Sequence, residues 1–216
     1  MKNGSKTVIA VDGPAAAGKG TLARQLADVL KLPYLDTGLL YRAVAWKVIR
    51  AGVKPTDPAE MFAHTLTLED TYRSGLRSPE VTQAVSDVAA QPAVREALVG
   101  IQRHFAEAHG GVLDGRDIGT VIFPHADVKF FITASLSTRA LRRFLQMGGD
   151  TTAPDSLEKL RIVENSLKTR DHIDTSRDSA PLCIADDAYV IETDEMDADA
   201  VLSEALRIVK KRLDVS

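Results

Sequence analysis

With one cysteine, Cys183, the 216-residue sequence can form no disulfide within itself, which suits a reducing compartment without proving one. In the run Pro181-Leu182-Cys183-Ile184-Ala185 the thiol is expected to be buried as a small apolar side chain. Long apolar runs are also missing. The stretch Thr7–Val11 is cut by Asp12, too short for a signal peptide, and nothing later approaches a membrane span. A cytoplasmic protein without membrane contact is expected. No excess of positive charge exists either: 27 Lys and Arg against 30 Asp and Glu give a formal net charge of −3. A grip on a long polyanion normally needs a basic face, so nucleic acid is not an expected partner. A local arginine pocket for a small anion remains compatible, because the arginines cluster. The five histidines are scattered without ligand spacing, which gives no support to a histidine-built metal centre, and His172 reads as a surface residue. The single tryptophan, Trp46, reads as packing. There is no internal repeat and no low-complexity tract.

What is present is ordinary globular composition, 44% hydrophobic and 26% charged, in a chain long enough to bury one large core. Short β-branched or apolar runs at Thr7–Val11, Tyr34–Leu35, Gly110–Leu113, Val128–Ile132 and Tyr189–Ile191 read as strands. Helical periodicity lies between them. It predicts helices from Gly18 to about Lys31, from Thr37 with Leu40, Val44, Val48 and Ile49 inward, and on either side of Pro92. Further helices are expected behind Ser135, around Leu157–Leu167 after the Gly148-Gly149-Asp150 break, and over Ala200–Leu213. Ser78-Pro79-Glu80 is an N-cap followed by proline at the first helical position. The alternation predicts an α/β fold in three layers, a parallel five-stranded sheet flanked by helices on both faces. Ligands on such sheets sit at the carboxyl ends of the strands, where Asp12, Asp36 and Asp114 fall.

Gly13-Pro14-Ala15-Ala16-Ala17-Gly18-Lys19-Gly20-Thr21 follows the first strand and opens the first helix. Such a loop wraps backbone N–H groups around a phosphate, the helix N-terminus adds positive potential, and Lys19 reaches the β- and γ-phosphates. ATP is the expected donor, with Mg²⁺ at Thr21 and Asp114, held via ATP or water. Gly20 stands where the strict pattern has Ser or Thr, and Gly-Lys-Gly-Thr is the form of nucleoside monophosphate kinases. An alanine forced into left-handed backbone geometry costs roughly 1–2 kcal/mol, so Ala15-Ala16-Ala17 is a place to look for strain.

Asp114-Gly115-Arg116-Asp117 ends a strand, where Arg116 can reach a phosphate; a solvated turn with an ion pair is the plainer alternative. Asp36 and Thr37 serve equally well as a helix cap or as substrate contacts, and Arg42 lies one turn further along. Arg170, Asp174 and Arg177 share one helix face if the helix continues. A salt-bridge ladder accounts for that spacing too, but Ala180-Pro181-Leu182 looks packed back onto the core.

Together these stretches, with Ser86–Ala90, Val94–Leu98 and Asp114–Pro124, closely resemble the family of bacterial cytidylate kinases over nearly the whole chain. The resemblance implies transfer of a phosphoryl group from ATP to CMP or dCMP. It implies cytosine contacts at Ser86, Arg95 and Asp117, ribose contacts at Arg170 and Asp174, and phosphate contacts at Arg42, Arg116 and Arg177. Thr37, Tyr41 and Asp114 fall in the same substrate-binding stretches. Lys19, Arg42, Arg116 and Arg177 are the expected catalytic charges. The implied organisation is a single kinase domain over 1–216, with a core at about 1–37, 110–140 and 178–216. A small monophosphate-binding region would occupy about 38–109, its insertion reduced to about 66–77, and a short lid with acceptor-closing helices about 141–177. A monomer acting on small-molecule substrates is expected. A shikimate-type kinase shares the loop and the sheet but gives no reason for Ser86–Arg95 and Arg170–Arg177 together. A silent ATP sensor would bind ATP without acceptor-stimulated turnover. A guanine-specific switch would show Asn-Lys-x-Asp, which is absent.

Overall fold

The computed structural model describes residues 6–213. The outermost ends of the expected core, 1–5 and 214–216, lie outside the described residues. Five strands are described: β1 (Val8–Asp12), β2 (Tyr34–Asp36), β3 (Gly111–Gly115), β4 (Val128–Thr133) and β5 (Tyr189–Glu192). They form one sheet in the order β2-β3-β1-β4-β5, and every pairing is parallel. Parallel strands covered on both faces read as unbroken apolar runs, which is why Ile9, Ala10 and Val11 are all buried.

Helices cover both faces. One layer contains α1 (Lys19–Leu30) and α8 (Ala198–Leu213), whose Leu22, Leu26, Val201 and Ile208 pack on Ile9, Val11 and Phe130. The other contains α2 (Thr37–Arg50), the short α3 (Glu60–His64), α4 (Pro79–Ala90) and α5 (Pro92–His109). Their Leu40, Val44, Val85 and Leu98 pack on Ala10, Leu35 and Leu113. Beyond the sheet edge, α6 (Leu136–Gln146) and α7 (Ser156–Ser176) meet the phosphate loop through a small cluster of Ala15, Ala140 and Leu167. Ser78 caps α4, its Oγ accepting the Val81 N–H at 3.3 Å, and Ser135 caps α6 in the same way from Thr138 at 3.2 Å.

Register brings the strand ends level. Val11 pairs with Asp114, Asp36 with the same Asp114, and Asp12 with Gly115. The three aspartates therefore stand along one edge, as their positions in the sequence suggest.

Several local expectations need correction. Cys183 is exposed: Leu182 is the buried residue of its run, its N–H donating to the Asp174 carbonyl at 2.7 Å, and the chain then turns outward. Within the reduced insertion at 66–77, for which the sequence offers no helix, Leu68–Tyr72 forms a 3₁₀ turn under a Thr67/Asp70 capping box. The helix expected around Leu157–Leu167 runs on to Ser176, and Arg177 then leaves it in extended backbone. Trp46 is half-buried against the core, as expected, but also takes the guanidinium groups of Arg50 and Arg73 over its ring, 5.3 and 5.2 Å from the ring centre.

Candidate active site

The turn out of β1 passes so close to β4 that a Cβ on Gly13 would stand 2.0 Å from the Ile132 carbonyl oxygen. Only glycine fits there. Gly18 takes left-handed backbone at φ 94° immediately before α1. Ala16 lies between them at φ 62°, the alanine strain raised by the composition of the loop. The loop thus opens onto the N-terminus of α1, where free N–H groups and the helix dipole favour an anion.

Gly20 has a geometric reason. A Cβ there would come within 3.4 Å of Asp114 Oδ2 and 3.8 Å of the Tyr34 hydroxyl. That hydroxyl donates to Asp114 Oδ1 at 2.8 Å, so the carboxylate is held against the first turn of α1. Burial and the neighbouring charge of Asp36 push the Asp114 carboxyl upward, opposed by Lys19 and by the Tyr34 bond. Lys19 is half-buried; desolvation and the charge of Arg116 lower its ammonium, opposed by Asp114. Asp114, with the exposed hydroxyl-bearing Thr21 on the same turn, offers the hard oxygen donors that a magnesium ion takes.

Across from Lys19 stands a set of arginines. Arg42 is buried and anchored by Nη1, which donates to the Leu76 carbonyl at 3.0 Å and to Thr82 Oγ1 at 2.9 Å. Arg116 donates from Nε to Asp174 Oδ2 at 2.8 Å, and Arg177 Nη2 approaches Asp174 Oδ1 at 3.4 Å, too poorly aligned for a hydrogen bond. Burial holds Arg42 and Arg170 down at about 10, and in each the charge of Arg116 adds to the effect. Arg116 also lowers Lys19 and Arg177. The ammonium and guanidinium groups therefore share one field. Asp174 is held below the usual carboxylate range although burial opposes it, because Arg116, Arg170 and Arg177 surround it.

Beside this cluster Arg95 and Asp117 form a buried ion pair, and the Arg95 guanidinium lies 5.2 Å from the Tyr41 ring centre. Arg95 Nη1 donates to the Ala89 carbonyl at 3.2 Å, one turn beyond the half-buried Ser86 on α4. Thr37 turns its hydroxyl inward to the Asp114 carbonyl at 2.8 Å, and Asp36, although at the cap of α2, makes no cap bond and pairs instead with Arg77 at 2.7 Å. Buried N–H groups of Arg95 (Nε), Arg170 (Nε) and Arg177 (Nη2) lack a hydrogen-bond partner among the described residues. Buried donors are seldom left so, and three in one cluster mark a place built for acceptors.

The family model described as cytidylate kinase matches residues 9–211. The chain belongs to the cytidylate kinase family. A cytidylate kinase of Acidiphilium cryptum is 52% identical over 208 residues, covering 95% of this chain and 96% of that relative. One from Granulibacter bethesdensis is 49% identical over 209 residues, covering 96% and 98%. The fold is also that of a Sinorhizobium meliloti gluconokinase, at a TM-score of 0.51 and 14% identity over 95% of this chain and 92% of that one. As a cytidylate kinase family member the chain is an ATP-dependent nucleoside monophosphate kinase.

Some contributors escaped the sequence reading. Arg143 on α6 adds its charge to both Arg42 and Arg170, and Arg77 adds its own to Arg42. A pocket of about 250 Å³ opens beside the phosphate loop, lined by Gly18, Thr21, Gln25, Arg142, Thr193 and Met196. Arg142 is fixed at its rim by the Thr193 hydroxyl at 2.8 Å. The only local hint is the dense basic run on one helix, Arg139, Arg142 and Arg143.

Proposed function

We propose that this chain transfers the γ-phosphoryl group of ATP to CMP or dCMP, giving ADP and CDP or dCDP. The observation that carries the reading is the shared field of Lys19, Arg42, Arg116, Arg170 and Arg177 at the ends of β1 and β3. In this reading the loop Gly13–Thr21 takes the donor phosphates and the pocket beside Gly18 takes the donor base. The acceptor phosphate lies against Arg42, Arg116 and Arg177, and its ribose against Arg170 and Asp174. The base lies near Ser86 and the Tyr41–Arg95–Asp117 stack. A carboxylate accepts from the cytosine amino group, while guanidinium and hydroxyl donors suit its carbonyl and ring nitrogen. A base lacking that pattern leaves buried polar groups unpaired, which is a strong basis for rejection.

The acceptor oxygen is already an anion, so transfer needs no strong base. That oxygen attacks the γ-phosphorus as the bond to the bridging oxygen of ADP breaks. Lys19 and the guanidinium groups neutralise the charge spreading over the moving group, and one arginine in such a role can contribute about 10³–10⁵ in rate. Thr21 and Asp114 would hold Mg²⁺, which supplies further neutralisation of the phosphates when bound. Residues 141–177 would supply a short lid that excludes water and helices that close on the acceptor, 38–109 the acceptor region, and the remainder the core of one cytoplasmic, monomeric kinase. A coupled ADP-release assay across the nucleoside monophosphates tests the reading. CMP and dCMP should stimulate release strongly; stimulation by AMP or GMP instead, or by none, would overturn it.

A further inference from the structure

Asp12 ends β1 and is buried one residue before the phosphate loop, yet it takes no part in the anion cradle. Its carboxylate accepts the backbone N–H groups of two consecutive residues, Ile118 to Oδ1 at 2.9 Å and Gly119 to Oδ2 at 2.8 Å. Those residues open a wide helical turn, Ile118–Ile122, in which the Asp117 carbonyl accepts from both Val121 and Ile122. Asp117 is the residue paired with Arg95. The turn is also closely packed at Gly119: a Cβ there would stand 3.0 Å from Lys129 Cδ and 3.4 Å from Asp12 Oδ2. Lys129 is itself fixed, donating to the Pro124 carbonyl at 2.6 Å and to Asp187 at 2.7 Å. Burial raises the Asp12 carboxyl to about 6 in spite of the two backbone bonds, with the charge of Asp117 adding to the rise and Arg116 opposing it. A buried carboxylate whose hydrogen bonds, among the described residues, all lead to this one turn has a geometric task there.

We propose that Asp12 is a positioning residue that fixes Asp117, and through it Arg95, relative to the phosphate loop, so that acceptor-base recognition is held in register with the donor. The proposal rests on the reading above, in which Arg95 and Asp117 face the acceptor base. An Asp12→Asn side chain keeps one accepting oxygen and turns an NH₂ group on the second backbone N–H. The turn must then shift and carry Asp117 with it. Gly119→Ala presses on the same junction, chiefly through Lys129, and Gly119 does not occupy left-handed backbone that an alanine would resist.

The test is steady-state kinetics of ADP release for wild type, Asp12→Asn and Gly119→Ala, with circular-dichroism melting as the check on folding. In both variants KM for CMP should rise about tenfold to a hundredfold, the scale on which small misplacements act, while KM for ATP stays within about twofold. A role in stability alone would lower kcat through the active fraction and leave both KM values unchanged; that result, or an equal rise in both, overturns the proposal. If Asp12→Asn fails to fold, Gly119→Ala decides by the same criterion. Wild type without CMP-dependent turnover would instead remove the acceptor reading, and the proposal with it.

Discussion

Lys19 is charged at neutral pH against opposition: burial and Arg116 lower its pKa, and only the nearby carboxylates, Asp114 first, restore part of it. The free-enzyme titration should appear in kcat/KM for ATP. Because a lysine loses its charge as pH rises through its pKa, that parameter should fall on the alkaline side well below the ordinary lysine value of about 10.4. A profile flat to that pH would mean that Lys19 is better stabilised than its surroundings imply. At this scale the sequence was informative wherever a motif fixed the partner. Lys19, Arg116 and Asp117 sit where strand-end motifs put them, and Ala16 takes the strained conformation that its loop requires. Arg143, Arg77 and Tyr34 carried no such signal, because their partners Arg42, Asp36 and Asp114 are brought together only by the fold. Cys183 was misread because its apolar neighbours, Leu182 and Ile184, suggested a buried run of which only Leu182 is buried.

Among the elements, the sheet was legible because each parallel strand is an apolar run closed by turn residues. The caps of α4 and α6 were legible for a local reason: Ser78 and Ser135 each bond an N–H three residues on. Replacing Ser78 by alanine removes that bond and should lower stability by about 1 kcal/mol, read from the urea midpoint. No loss would mean that Pro79 and solvent already satisfy the helix start. The full length of α7 was harder to see, since few of its residues are buried and its apolar positions give no clear stripe. The turn Ile118–Ile122 has no local signature at all. Its form depends on a carboxylate 106 residues away in sequence.

For the molecule as a whole, Arg139 is one of the arginines that tie the α6–α7 pair to the strand ends and the phosphate loop. Arg139 is buried and donates to the Ala134 carbonyl at 3.0 Å, to the Ala15 carbonyl at 3.3 Å and to Asp171 at 2.7 Å. Replacing Asp171 by asparagine would leave that guanidinium without its counter-charge, which costs more than losing a surface pair. Amide exchange across Ser156–Ser176 should then accelerate while β1 and β3 keep their protection, a contrast that mass spectrometry resolves. Uniform acceleration would make the joint part of global stability and not of a separate moving unit.

The placement of β1 beside β3 has a further consequence. Neighbouring strands keep a spacing of about 4.8 Å set by their backbone ladder. In the proposed reading the donor loop leaves one strand of this pair and the base-reading segment leaves the other. The reach between the two ligands is thereby inherited from main-chain geometry, which side-chain substitution scarcely alters. In that reading a change of acceptor preference can be sought in side chains of α2, α4, α5 and the Arg116–Asp117 segment, with the span that the phosphoryl group must cross left untouched.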